Sequence, residues 1–297
     1  MRLKDAALDR LRDAVRTPDL SGTRYRLVGP IGRGGMGAVF EVEDEVLKRR
    51  LALKVVDLPP DGEEALLGEA GVLARLEHPG LVPVHDAGRL PDGRAFYTMK
   101  LVRGERLDST LARLTTLPER LRLFLRVCEP VAFAHANGVI HCDLKPSNVM
   151  VGPFGEVLVL DWGLARLLQD SRAADASGTP GFMAPEQMAG GSADARADVY
   201  GLGALLDAML RVAPVPPRPR ALASIVARAT APDRDERYPD VPALAADVAR
   251  LLDGERVEAH AERPFERVGR LVRRHRVAVG LVAAYLLTRG LFILFRR

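Results

Sequence analysis

His141-Cys142-Asp143-Leu144-Lys145-Pro146-Ser147-Asn148, followed after a hydrophobic run by Asp161-Trp162-Gly163, is the stretch on which the reading of this chain turns. Two acids, a lysine and an asparagine at these offsets are what phosphoryl transfer from a metal–nucleotide complex requires. Asp143 is placed to orient an incoming hydroxyl and accept its proton, with Lys145 two residues on, near the transferring phosphate. Asn148 and Asp161 offer hard oxygen ligands, which suit Mg²⁺ far better than nitrogen or sulfur donors do.

The surrounding chain has 297 residues, 47% hydrophobic and 28% charged, which describes a globular protein with room for one large two-lobed domain or two ordinary ones. Cys128 and Cys142 have neither metal-ligand spacing nor a disulfide framework, which fits a reducing cytoplasm. Residues 1–16 are charged throughout and do not read as a signal peptide. The net charge is +4, but Arg263, Arg267, Arg270, Arg273, Arg274 and Arg276 gather just before a final apolar run, with Arg296 and Arg297 after it. That placement favours a membrane flank over a nucleic-acid groove. Only Lys4, Lys48, Lys54, Lys100 and Lys145 are lysines among 43 basic residues, so a lysine at a motif position carries weight.

Upstream, residues 1–24 read as a short amphipathic helix and a Thr17-Pro18 break. Strands follow at 25–29, 38–43 and 51–57, then a helix over 63–76, then strands near 81–87 and 95–102. From Leu107 helices dominate, apart from short strands near Val149 and 157–160. A sheet-rich first part before a helical second part is an α+β layout. Gly32-Arg33-Gly34-Gly35-Met36-Gly37-Ala38-Val39 carries Gly-x-Gly-x-x-Gly-x-Val. Three such glycines also occur in dinucleotide-binding folds, but there they open a helix. Here residues 38–43 alternate as a strand, so the glycines form a flap whose backbone can lie over phosphates. Lys54 interrupts an apolar strand, where a lone ammonium is costly unless paired or set against phosphate. On the 63–76 helix Leu66, Glu69, Leu73 and Leu76 share one face, so Glu69 lies in the apolar stripe and Lys54 is its expected partner.

Flap, strand lysine, helix glutamate, catalytic loop and metal loop, in this order, resemble the protein kinase family. Gly178-Thr179-Pro180-Gly181-Phe182-Met183-Ala184-Pro185-Glu186 is similar to the segment closing a kinase activation loop. Asp198-Val199-Tyr200-Gly201 is similar to the start of the helix whose Asp steadies the catalytic loop, and Arg237 to the arginine that pairs with Glu186. Lys145 in Asp-Leu-Lys-Pro-x-Asn, with Thr179, points to the serine/threonine group, and Gly-Phe-Met-Ala-Pro-Glu-Gln to its bacterial branch. The resemblance covers residues 25–253. It implies a two-lobed α+β fold: an antiparallel-sheet N-lobe with one helix over 25–103 and a mainly helical C-lobe over 104–253.

The resemblance also implies ATP and Mg²⁺ as cofactors, with Mn²⁺ as a substitute, and a protein substrate phosphorylated on Ser or Thr. Asp143, Lys145, Lys54 and Glu69 would be catalytic, and Asn148 and Asp161 would hold the metal. The nucleotide would lie on Ile31, Gly32, Arg33, Gly34, Gly35, Met36, Gly37, Val39, Ala52, Lys54 and Met99, Met99 acting as gatekeeper before a hinge at 100–102. Cys142 stands where many kinases have the arginine that gathers an activation-loop phosphate, so loop phosphorylation is not expected to be the main switch. Trp162 replaces the usual Phe. The proline-rich 212–220 connector leaves the C-lobe short of a docking helix. A nucleotide-binding pseudokinase acting as a membrane scaffold is the alternative.

After a basic linker at 254–276, residues 277–295 form a nineteen-residue apolar run with one charge, Arg289. At ~1.5 Å per residue a helix of this length spans roughly 30 Å, the hydrocarbon thickness. An off-centre arginine can snorkel toward Arg296 and Arg297. The expectation is a single-pass membrane helix with the catalytic domain in the cytoplasm, no nucleic-acid partner, and self-association left open.

Overall fold

The computed structural model describes residues 17–34, 37–56, 67, 70, 71, 73–162, 166, 167, 178–213, 218–262, 280–282, 284–286, 288 and 289. Its first lobe is one antiparallel sheet in the order β1-β2-β3-β5-β4. The strands are β1 (Tyr25–Gly34), β2 (Gly37–Asp44), β3 (Arg49–Val56), β4 (Val84–Arg89) and β5 (Ala95–Lys100). Side chains alternate across a strand, so each strand serves two faces. Phe40 and Val42 of β2 join Leu51, Leu53 and Val55 of β3, with Tyr25, Leu90 and Phe96, in a buried cluster on one face. On the other face the register sets Val39 opposite Lys54, Lys54 opposite Tyr97 and Ala52 opposite Met99. That second face is the one the glycine-rich hairpin and Lys54 share.

β4 begins three residues later than its sequence pattern suggests. Pro83 lacks an N–H to give a ladder, and its carbonyl instead accepts the Lys100 N–H at 3.2 Å before pairing starts. The helix expected over 63–76 is helical at the described residues Leu67, Ala70, Gly71 and Leu73.

The second lobe is mainly helical: α1 (Leu107–Leu111), α2 (Leu117–Ala136), α3 (Pro185–Met188), α4 (Ala195–Arg211), α5 (Arg220–Ala229) and α6 (Val241–Leu252). α2 starts where the sequence directs it, at a capping box. The Thr116 side chain accepts the Glu119 N–H, and Glu119 reaches back to the Thr116 N–H. Its stripe of Leu121, Phe124, Val127, Cys128, Val131 and Ala134 joins Val199, Leu202, Leu205 and Leu206 of α4 and Leu244 and Val248 of α6 in the main core. α4 and α5 cross so closely that a Cβ on Gly203 would lie 2.6 Å from the Ala229 Cβ; only glycine fits there.

Short strands carry the loops that matter for chemistry. β6 (Glu105–Arg106), β8 (Val149–Val151) and β9 (Val157–Val159) form one small sheet, while β7 (Val139–Ile140) pairs with β10 (Arg166–Leu167). Leu81, between the lobes, makes a parallel bridge to Val159.

The packed lobe runs past the expected boundary at 253. Val257 lies in the core, Asp247 accepts the N–H groups of Glu258 and Ala259, and Ser224 bonds His260 at 3.0 Å. One buried carboxylate therefore ties down a segment whose composition reads as linker. Residues 263–279, 283, 287 and 290–297 lie outside the described residues, and most of the expected membrane helix falls among them. Among the described residues no helix is long and apolar enough to cross a membrane. Those described between 280 and 289 are helical, and Leu281, Val282, Tyr285 and Leu286 are exposed.

Candidate active site

Lys54 reaches across from β3 to the residue that follows β9 and its short extension. Its Nζ lies 2.8 Å from Asp161 Oδ1, and it sits 5.6 Å from the centre of the Tyr97 ring. The lysine side chain is 8% exposed and the aspartate 53%, so a buried ammonium faces a carboxylate open to solvent. Burial works to raise the Asp161 carboxyl. The charge and hydrogen bond of Lys54, aided by the charge of Lys145, outweigh it and hold Asp161 below the usual carboxylate range.

Asp161 has a positive φ of 61°, a backbone setting uncommon for a residue with a side chain. Trp162 beside it is buried, donates its indole N–H to the Val159 carbonyl at 3.2 Å, and has its ring 4.5 Å from that of His141.

The second group of side chains gathers on the loop after β7. Lys145 Nζ donates to Asp143 Oδ2 at 2.5 Å and to Thr179 Oγ1 at 2.7 Å, and Thr179 Oγ1 donates to Asp143 Oδ1 at 3.0 Å. Asn148 Nδ2 donates to the Asp143 carbonyl at 2.9 Å and to its Oδ2 at 3.2 Å. Both Asp143 oxygens are thereby aimed, and a residue 36 positions downstream closes the triangle.

The backbone under this loop is held from below. Asp198, buried in the first turn of α4, accepts the His141 N–H at 2.7 Å and the Cys142 N–H at 2.8 Å, and lies 2.7 Å from His135 Nε2. Burial opposes its ionisation, but the His135 hydrogen bond and the His141 backbone N–H outweigh that and hold it below the usual range. Gln187 donates to the Cys142 carbonyl at 3.0 Å. Cys142, gripped at both its N–H and its carbonyl, adopts φ 68°. His141 Nδ1 accepts the Asp143 N–H at 3.2 Å, so its Nε2 carries the proton and donates to the Leu160 carbonyl at 3.0 Å, a tautomer assigned from these bonds. Farther out, the buried Arg237 grips Glu186 with two bonds of 2.7 Å.

The structure thus brings together Lys54, Asp143, Lys145, Asn148 and Asp161, and sets Val39, Ala52 and Met99 on the sheet face that Lys54 shares. Ile31, Gly32, Arg33 and Gly34 end β1, and Gly37 opens β2 opposite Gly34 as a strand, not a helix. Gly35, Met36 and Glu69 lie outside the described residues, so the expected Lys54–Glu69 pair does too. Sequence reasoning passed over His135 and Gln187. His135 was open to the argument used for Glu69, since it sits four residues after Val131 and seven after Cys128, a polar group on the buried face of α2.

The donor set suits a hard cation carried by phosphates. Mg²⁺ is bound by one or two carboxylates with substrate oxygens completing the shell, and Asp161 with Asn148 offer one carboxylate and one amide oxygen. Among the described residues no cluster of three His, Cys, Asp or Glu exists that would hold an ion by protein ligands alone.

The serine/threonine-protein kinase PknD of Protochlamydia amoebophila is 31% identical over 296 residues, covering 77% of this chain and 30% of its own. PknD of Chlamydia trachomatis serovar D is 36% identical over 233 residues, covering 64% of this chain and 25% of its own. The DNA damage-responsive serine/threonine-protein kinase RqkA of Deinococcus radiodurans is 40% identical over 197 residues, 62% of this chain and 29% of its own. The chain thus spans about a third or less of the length of these curated relatives. Residues 25–263, the two lobes together with the pinned segment after α6, match the protein kinase domain, and the chain belongs to the protein kinase family.

Proposed function

We propose that this chain is an ATP- and Mg²⁺-dependent kinase that phosphorylates Ser and Thr hydroxyls of proteins. The observation that carries the reading is the 2.8 Å contact of Lys54 with Asp161 together with the Asp143–Lys145–Thr179 triangle, which supports roles as phosphate-binding cation, metal-type carboxylate and base. Bound Mg-ATP supplies the transferable phosphoryl group and part of the charge neutralisation. Lys54 binds the inner phosphates, and Asp161 and Asn148 hold the cation. Asp143 Oδ1, which accepts the Thr179 hydroxyl, would take the hydrogen bond of the incoming hydroxyl and its proton as the new P–O bond forms and the γ-phosphoryl bond to the departing ADP breaks. Lys145 offsets the negative charge on the transferred group, a stabilisation that is strongest in a water-poor cleft.

The test is incubation of the purified chain with labelled ATP, Mg²⁺ and a basic protein, beside Asp161→Ala. Phosphoserine or phosphothreonine from the wild type alone supports the reading. Nucleotide binding without any transfer would leave the pseudokinase scaffold instead.

The C-terminal segment is proposed to anchor the kinase domain to the cytoplasmic face of a membrane. Support comes from the arginine cluster before 277–295 and from the exposed apolar residues Leu281, Val282, Tyr285 and Leu286. Carbonate washing of membranes tests it; release into the soluble fraction would end the spanning reading.

A further inference from the structure

We propose that His135 is a positioning residue for phosphoryl transfer, acting through Asp198 to hold the backbone that aims Asp143; the inference rests on the kinase reading above. Asp198 is 1% exposed and takes three hydrogen bonds, two from backbone N–H groups and one from His135. Among the described residues His135 is the only side chain that bonds it. An ionised carboxylate only accepts, so the shared hydrogen at 2.7 Å belongs to His135 Nε2.

The other ring nitrogen supports the same conclusion. His135 Nδ1 is buried and has no hydrogen-bond partner among the described residues. Buried polar atoms are rarely left in this state. A ring kept only for its volume would be better served by an apolar side chain, which would leave no orphaned nitrogen. The polar atom that is used, Nε2, is the one that meets Asp198. His135 ends α2, two residues before the turn into β7, so it is fixed by the longest helix of the lobe.

The chain of contacts leads directly to the base. Asp198 holds the N–H of Cys142, whose φ of 68° costs conformational energy in any residue with a Cβ and persists only when its neighbours over-determine it. Asp143 follows immediately, and its own N–H is bonded to His141, the other residue Asp198 holds. Loss of the His135 donor leaves Asp198 with one oxygen less firmly placed. The left-handed turn at Cys142 relaxes, and Asp143 drifts from the hydroxyl it must meet. The effect therefore falls on turnover more than on nucleotide binding, because Cys142 and Asp143 adjoin the relaxed turn, whereas Lys54 is fixed on β3 and Asp161 is reached only at one remove, through the His141 contacts with Leu160 and Trp162.

The experiment uses the full chain with His135→Leu, His135→Gln and His135→Asn. The Gln amide can reach the position of Nε2, while the Asn amide is too short. His135→Leu and His135→Asn are expected to lower kcat about tenfold or more with the ATP KM changed less than roughly twofold, and His135→Gln to recover most of the loss. Hydrogen exchange at the Cys142 amide, read in the same proteins without nucleotide, should quicken in His135→Leu and return toward wild type in His135→Gln. Wild-type turnover and exchange in His135→Leu would overturn the proposal, as would a His135→Gln variant as impaired as His135→Leu. Should the wild type transfer no phosphate, the kinase reading fails, and the exchange measurements still decide whether His135 holds the loop.

Discussion

Replacing Arg120 by methionine tests how the shortened C-lobe is held together. Arg120 lies in the first turn of α2 and is fully buried, and among the described residues it bonds backbone carbonyls. Among the described residues five of its hydrogen bonds go to four oxygens: Nε to Leu114 at 3.0 Å, Nη1 to Met209 at 2.7 Å and Val212 at 2.6 Å, and Nη2 to Leu111 at 3.2 Å and Leu114 at 2.8 Å. Met209 and Val212 are at the C-terminal end of α4, where carbonyls lack helical partners and the helix dipole favours a cation. The guanidinium thus closes α1 and α4 at the point where the chain enters its proline-rich connector. Burial pushes its pKa down, but no ordinary pH removes the charge.

Methionine keeps the stem's volume and removes every donor. Met209 is buried and its carbonyl would be orphaned at about 1–3 kcal/mol, while the buried Leu111 carbonyl keeps the Leu114 N–H at 3.2 Å but loses a charge-assisted bond of about 1.5–3 kcal/mol. Leu114 and Val212 are only half-buried and would regain water. Relief from burying a cation offsets part of the loss, leaving about 2–5 kcal/mol of destabilisation. For a domain of this size that is a fall in Tm of about 5–15 °C. Thermal melting followed by circular dichroism reads it, and Arg120→Lys, which keeps the charge but has three donors, should fall in between. A Tm within about 2 °C of wild type for Arg120→Met would refute the reasoning, because it would mean those carbonyls find water or new partners at no cost.

Other outcomes follow from the site. Lys54→Met should lower kcat about 10²–10³-fold, in line with other positioned charge-stabilising groups, and Asp143→Asn about 10²–10⁴-fold, the latter leaving the melting curve close to wild type. Alanine at Ser171, Ser177 and the neighbouring loop hydroxyls other than Thr179 should leave most activity, and a loss above about tenfold would restore loop phosphorylation as the main switch. Asp161 and Asp198 are both held below the usual carboxylate range in the folded protein. Protons therefore bind the unfolded chain first on acidification: the stability these groups contribute is whole above about pH 4 and is lost as pH falls toward their lowered folded values. Urea midpoints between neutral and acid pH should show this, and Asp198→Asn should flatten the acid limb; an unchanged limb would exclude Asp198 as a source.

Much of the site was legible because its parts are local. The spacing of Asp143, Lys145 and Asn148 lies within one loop, and β2 after the glycines declares itself by alternation, which separates a phosphate flap from a helix-opening turn. The boundaries were less legible. Pro83 delayed β4, and Asp247 drew the 257–260 segment into the core, because pairing and burial depend on partners far along the chain. His135 and Arg120 escaped notice for a related reason. A histidine or arginine on an apolar helix stripe signals that a polar partner exists, but nothing in the neighbouring sequence says which one.

Sequence alone determined which groups are on offer: the oxygen donors of Asn148 and Asp161, the lone lysine of β3, the carboxylate of Asp143 and the order of two lobes. The tertiary structure decided how those groups are aimed. Lys54 meets Asp161 across 107 residues, Thr179 meets Asp143 across 36, and Asp198 meets the backbone of the loop from 56 and 57 residues away. Side-chain identity is written residue by residue, whereas a hydrogen bond between distant segments exists only once packing has placed both ends within about 3 Å.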